Sequence, residues 1–332
     1  MKGPYNQLLA FLFFLAILIG PGYNTYVHYD FSHTTIDTKA YLNVANGNLK
    51  EATITHRYRV IVPFISKVVS YPIEKIYQKL WPHRAESTWP LQLAFFLVNS
   101  LILALAMLLL YHWLNNLKLG PKKWIALLAC VAVFSGRWYN YMAGLPLTDS
   151  MYVLLIITTC IAIQRQSWAW TLFCIFLGPW AKESYLFVAP LLFFFGPMKW
   201  KQIPFWITSG LLVFGARYAI DQHIGIEATK SISEYSGHFN DIVYTFKKLA
   251  SVRGLGELFT VLGIFTFMVI WVFWKKEMRK LIPVYVLWLL PIFLFHAFLS
   301  GEAARMLAFA TPLWALCLFL GFGALSKRLK IY

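Results

Sequence analysis

Charge is scarce in this chain. Only 13% of its 332 residues are Asp, Glu, Lys or Arg, about half the share of a typical soluble domain. A soluble fold of this length needs a polar shell, and there is too little charge to build one. Disorder is excluded as well, since disordered chains are poor in aromatic and β-branched residues and 18% of these are aromatic. The four cysteines, Cys130, Cys160, Cys174 and Cys317, all lie in apolar runs with no CxxC and no nearby His pair. They read as small buried hydrophobes, not as a disulfide framework or zinc site. No N-x-S/T sequon occurs, so nothing marks a glycosylated face. GxSxG, P-loop and Rossmann glycine patterns are all missing, which argues against a nucleotide-driven reaction.

What is abundant is hydrophobicity, at 59% of residues. A helix crossing about 30 Å of hydrocarbon needs roughly 17–25 mostly apolar residues. The N-terminal run from Leu8 to Ile19 follows Lys2 but precedes Gly20-Pro21-Gly22 rather than a small-x-small cleavage site, so it reads as an uncleaved first span. Nine more segments come close, at about 89–115, 123–141, 147–164, 167–180, 183–198, 203–220, 257–274, 281–299 and 305–325. The expected architecture is an all-α polytopic membrane protein with about 10 transmembrane helices, forming one transmembrane domain over 1–332.

The segment Arg59 to Trp81 decides the topology. Val60, Phe64 and Val68 repeat at four, as do Ile61, Ile65 and Val69, and Ile73, Ile76 and Leu80 continue the stripe. Lys67, Glu74, Lys75 and Lys79 oppose it. That is the pattern of an amphipathic helix lying in the interface rather than crossing. Residues 23–88 then form a large first outer loop, and 221–256 a second long one. With both termini cytoplasmic, the inner connections carry 14 basic residues and one acidic residue, Glu277. This obeys the positive-inside rule. The net charge of +16, which in a soluble protein would suggest nucleic acid, is therefore mostly an orientation signal, and no nucleic-acid partner is expected.

The remaining polar residues gather on the outer face. The first outer loop holds His28, Asp30, His33, Asp37, His56, Arg57 and Arg59, and the turn 136–149 adds Arg137, Tyr139, Tyr141 and Asp149. Lys182-Glu183 and Glu302 with Arg305 stand at helix ends. Ionisable groups at membrane depth are candidates for function, although each of these two could be a local ion pair tying helix ends together. Carboxylates and cations in a membrane-level cavity suit an anionic lipid. His28, Asp30 and His33 form a loose H-x-D-x-x-H, which a surface loop with ordinary hydrogen bonds also explains. A divalent metal is possible there but not indicated, and no cofactor is assigned.

These motifs resemble the GT-C glycosyltransferases, multi-spanning enzymes that use polyprenyl-phosphate-linked sugars. Asp37-Thr38-Lys39-Ala40-Tyr41-Leu42-Asn43-Val44-Ala45-Asn46-Gly47, followed by His56-Arg57-Tyr58-Arg59-Val60-Ile61-Val62-Pro63, resembles their first outer loop. Pro146-Leu147-Thr148-Asp149-Ser150 is similar to the family's acidic turn, Ala181-Lys182-Glu183-Ser184 to a Lys-Glu dipeptide of bacterial members, and Arg305 with Pro312 to a late Arg-then-Pro pattern. Bacterial members and the mannosyltransferases of GPI-anchor assembly look alike in these respects. The resemblance implies two interfacial helices in the first outer loop, over Asp37–Asn46 and Val60–Leu80. It does not extend to a tandem acidic pair or a WWD-type motif, so oligosaccharyl transfer to asparagine is not implied.

The activity implied is inverting transfer of a sugar from a polyprenyl phosphate to an acceptor on the extracytoplasmic side of a bacterial inner membrane. Asp37 would be the general base, with Asp30 in reserve and Asp149 positioning the acceptor or a cation. Arg59, Arg305 and Lys182 would hold the lipid phosphate, with Arg57 and Arg137 as second choices and Glu183 orienting Lys182. Trp138, Tyr139 and Tyr141 would either stack on a sugar or anchor at the interface. The rival readings are a transporter or lipid flippase and a non-catalytic subunit of a membrane complex. No self-similarity between halves of the kind many transporters show is present.

Overall fold

The computed structural model describes residues 4–29, 36–197, 199–225 and 238–329. Among them every regular element is helical and none is a strand. α1 (Pro4–His28) is followed by α2 (Ile36–Ala45), the short α3 (Ile54–Arg57), α4 (Ile61–Leu80) and α5 (Pro82–Ala85). Then come α6 (Trp89–Asn116), α7 (Lys123–Phe134), α8 (Arg137–Gly144), α9 (Asp149–Arg165) and α10 (Trp168–Ala181). The second half runs through α11 (Ala189–Phe195), α12 (Ile203–Ile224), α13 (His238–Leu249) and α14 (Val252–Phe259). It ends with α15 (Thr266–Trp274), α16 (Lys276–Arg279), α17 (Val284–Leu287), α18 (Leu289–Ser300), α19 (Ala303–Ala308) and α20 (Thr311–Arg328).

Three helices are long and apolar enough to cross a bilayer, within Tyr5–His28, Trp89–Asn116 and Lys199–Ile224. Counting each of two sharply bent pairs as one crossing raises this to five. Such helices are consistent with an integral membrane protein. Other segments expected to span fall on shorter apolar helices, such as Lys123–Phe134 and Trp168–Ala181. At 1.5 Å per residue these reach roughly 20 Å, short of a full hydrocarbon core of about 30 Å. An apolar run tells of burial but not of where the backbone breaks. The expected loop 221–256 likewise contains α13 and most of α14, with Lys248 Nζ 2.7 Å from Glu257.

Two helices form the dry centre. From Asp149 to Ile163 every residue of α9 is buried, and α20 is buried from Thr311 to Leu320. Helices apolar all round belong inside. α4 has the expected amphipathic pattern, and its sides divide by size. Val62, Pro63, Ser66, Ser70 and Ile73 are buried against the protein, with α6 as the main partner. Phe64, Ile65, Val68, Ile76 and Leu80 are exposed.

Between α8 and α9 the chain bends by 120°. The carbonyls released at this break are not left bare: Asn99 Nδ2 donates to Leu145 O at 3.0 Å and to Leu147 O at 3.1 Å. Ser150 Oγ donates to Asn99 Oδ1 at 2.5 Å. Broken backbone at such depth needs satisfaction of this kind. The result puts Asp149 at the first turn of α9. Much later in the chain Gly301 adopts φ 71° at the end of α18. A side chain is strained there, and the turn delivers Glu302 and Arg305.

Candidate functional site

Arg305 is the centre of an ion cluster drawn from distant stretches of chain. Its Nε and Nη2 donate to Asp149 Oδ2 at 2.7 and 2.6 Å. Its Nη1 donates to Asp37 Oδ2 at 2.6 Å and to Glu302 Oε2 at 2.7 Å. Lys182 Nζ donates to the other oxygen of Asp149 at 2.9 Å and lies 4.6 Å from the centroid of Phe309. Beside Lys182 in the chain, Glu183 Oε2 accepts from Arg59 Nε at 2.9 Å, and Arg59 Nη1 donates to Tyr41 Oη at 2.7 Å. Arg217 Nη2 reaches Glu183 Oε1 at 3.0 Å.

Local structure explains several of these placements. Lys182 is the extended residue between α10 and the turn that follows. That turn folds back because Gly178 leaves room for the Tyr185 ring, which a Cβ would overlap. Tyr185 is then held by Thr159, with the two hydroxyl oxygens 2.6 Å apart. Arg305 sits on the six-residue α19, fixed from below by Trp314 Nε1 donating to Leu307 O at 2.7 Å and by Tyr139 Oη donating to Ala308 O at 2.8 Å.

A cavity of about 540 Å³ opens onto this cluster, within the usual range for small-molecule sites. Asp37, Arg59, Lys182, Glu183, Glu302 and Arg305 all line it. Six of the residues expected from the sequence thus come together around one cavity. Asp149 is sealed behind them, with 1% of its side chain exposed.

The others lie elsewhere. Arg57 is buried and donates to Leu49 O and Ala52 O at 3.0 Å each, and to Asp221 at 3.4 Å. Those bonds brace the loop rather than face the cavity. Arg137 is exposed on α8, with its guanidinium against Tyr141. Tyr139 is buried in the core, and Trp138 and Tyr141 do not line the cavity either. Asp30 and His33 fall outside the described residues, and with them most of the H-x-D-x-x-H reading. Among the described residues no group of three or more His, Cys, Asp or Glu could hold a metal. The expected orientation of Lys182 by Glu183 is not what forms. Lys182 turns to Asp149 and Glu183 to Arg59 and Arg217, because the extended backbone at residue 182 separates the two side chains.

Two partners had no role assigned from the sequence. His56 Nε2 is 2.9 Å from Asp37 Oδ1, while its Nδ1 meets the hydroxyls of Thr53 and Thr55. Burial pushes the Asp37 carboxyl upward, but the hydrogen bond from His56 and the charge of Arg305 outweigh it and hold Asp37 well below the usual range. Burial also pushes the Tyr41 phenol up to about 12, so it meets Arg59 as a neutral hydroxyl. Arg217 is the second addition. It lies within an apolar run, and a lone Arg in such a run was itself a signal.

The cluster is electrically balanced. Asp37, Asp149, Glu183 and Glu302 face Arg59, Lys182, Arg217 and Arg305. Glu302, at 49% side-chain exposure, is the least enclosed of the four carboxylates. Comparison of the chain with family models, curated proteins and solved structures finds no match.

Proposed function

We propose that this chain is a polytopic membrane glycosyltransferase of GT-C type, moving a sugar from a polyprenyl-phosphate donor to an acceptor on the extracytoplasmic face. The observation that carries the reading is a cavity lined both by carboxylates (Asp37, Glu183 and Glu302) and by three cations, Arg59, Lys182 and Arg305, in which Asp37 alone pairs with a histidine as well as an arginine. In this reading the short apolar helices make up a bundle of about ten membrane segments with both termini cytoplasmic, in a bacterial inner membrane. α2 and α4 are the interfacial helices of the first outer loop, the exposed apolar side of α4 resting on lipid.

The chemistry follows from the geometry. The acceptor hydroxyl oxygen attacks the anomeric carbon, the bond from that carbon to the phosphate oxygen breaks, and the electron pair leaves with the lipid phosphate. The acceptor proton passes to Asp37. A carboxylate held ionised is a weak base, which suffices where cationic character at the sugar develops early, as in glycosyl hydrolysis. Its two oxygens are oriented by His56 and Arg305. Lys182 and Arg59 meet the departing phosphate as preorganised cations. Arg305 joins them once the phosphate displaces Glu302, which keeps the balanced cluster from accumulating negative charge. Asp149 holds Lys182 and Arg305 at the right separation.

Purified protein supplied with polyprenyl-phosphate sugars separates transfer from lipid movement and from neither. The Asp37→Asn variant should fold and lose turnover by about 10²–10⁴-fold, the usual worth of a positioned general base. Turnover near that of the wild type would overturn the assignment, and lipid movement without transfer would favour a flippase.

A further inference from the structure

The cavity lining is chemically mixed. Beside the ions it holds the apolar side chains of Leu186, Phe187, Leu299 and Met306. Two of its other polar residues, Ser184 and His296, take no part in the ion cluster. Ser184 lies along the chain between the Lys182-Glu183 dipeptide and Leu186-Phe187, and His296 lies one helical turn before Leu299.

Both residues are buried, with 9% and 8% of their surface exposed. Ser184 Oγ and His296 Nδ1 have no hydrogen-bond partner among the described residues. Buried polar atoms are nearly always paired, and leaving one unpaired costs its full desolvation. Two such atoms in one cavity lining mark a place where something polar binds. Neither residue brings a fixed positive charge, and the guanidinium and ammonium donors suited to an anion belong to Arg59, Lys182 and Arg305, so the group that these two atoms match is an uncharged one. A serine hydroxyl and a neutral imidazole nitrogen each either donate or accept, which matches a hydroxyl group that does both. The Phe187 ring, 5.6 Å from the His296 ring between centroids, offers an apolar face beside them.

We propose that Ser184 and His296 form a subsite for an uncharged, hydroxyl-bearing ring, so that the cavity reads the sugar of a lipid-linked donor separately from its phosphate. The identification of that ring as the transferred sugar rests on the glycosyltransferase reading. The hydroxyl subsite itself rests on the two orphan atoms. In mechanism they are binding residues, and Asp37 keeps the proton transfer.

The test uses the full chain in nanodiscs and three probe types: decyl phosphate, decyl-phosphate-linked hexoses (glucose, galactose, mannose) and the matching phosphate-free decyl hexosides. For the wild type the best phosphohexose should bind about tenfold tighter than decyl phosphate, as one or two well-formed hydrogen bonds would provide. In Ser184→Ala/His296→Phe that preference should fall to about onefold, with decyl phosphate affinity unchanged. Ser184→Ala alone removes only a hydroxyl and keeps the carbonyl that accepts from Tyr152 Oη at 3.2 Å. It should lose part of the preference even if the double variant fails to fold, and His296→Gln should restore part of it. Equal binding of sugar-bearing and sugar-free probes by the wild type, or a preference that survives both substitutions, overturns the subsite and leaves the phosphate site standing. Binding of decyl hexosides that depends on His296, with no binding of decyl phosphate, overturns the lipid-phosphate reading and leaves the subsite standing. Failure of every sugar-bearing probe to bind overturns the subsite.

Discussion

Asp149 and Asp37 share one guanidinium but lie in different surroundings. Asp149, with 1% of its side chain exposed, takes Arg305 on one oxygen and Lys182 on the other. Asp37, at 23%, takes Arg305 on one oxygen and His56 on the other, and borders the cavity. The first pair of contacts is sealed between helices and acts as a tie. The second stands where a ligand can meet it. Two aspartates that share one arginine become scaffold or working surface according to what solvent and substrate can reach.

The largest effect that would test this contrast belongs to the sealed side. Asp149→Asn leaves Lys182 and Arg305 without their shared counter-charge in a dry interior, a loss worth about 3–5 kcal/mol. The expected outcome is a sharply lower melting temperature in detergent or failure to accumulate. A variant that folds like the wild type would break the comparison. Arg305→Ala belongs to the same class, since it strips charge from Asp149, Asp37 and Glu302 together.

A smaller effect comes from acid. His56 and Arg305 hold Asp37 below its unfolded value of about 3.9. A group depressed in this way adds stability that is present above its unfolded pKa and is lost as pH falls through the folded one. The melting-temperature gap between the wild type and Asp37→Asn should therefore stay level from neutral pH down to about pH 5 and close below about pH 4. A gap that widens in acid would mean that Asp37 is not held by these partners. The least effect is expected at the surface. Arg137→Ala should change stability by no more than about 0.5 kcal/mol and leave transfer unaltered, because Arg137 is exposed and touches Tyr141 away from the cavity. A large loss of turnover would draw α8 into the site.

Much of the site was legible as a list of residues. Asp37, Arg59, Lys182, Glu183, Glu302 and Arg305 stand out because charge is expensive in an apolar chain, and all six line one cavity. Their pairing was not legible. Neighbours in sequence suggested that Glu183 serves Lys182, whereas the fold sends Glu183 to residues 59 and 217. Arg57 has the same chemistry as Arg59 but ends in carbonyls of its own loop. Ser184 and His296 look ordinary in sequence and acquire meaning only by being buried without partners.

Composition alone marked the chain as apolar enough for a membrane, and its long apolar runs marked it as helical, because backbone groups in lipid must bond within their own segment or within a closed barrel of much shorter strands. Periodicity alone marked Arg59–Trp81 as amphipathic, and within it Ile61–Leu80 is a single helix with one apolar side exposed. The tertiary structure decided the rest: where apolar runs break, which carboxylate is sealed, and which cation answers to which acid. Those outcomes depend on contacts between residues tens to hundreds of positions apart. Local pattern carries no information about such contacts, since burial and charge pairing are properties of the packed interior.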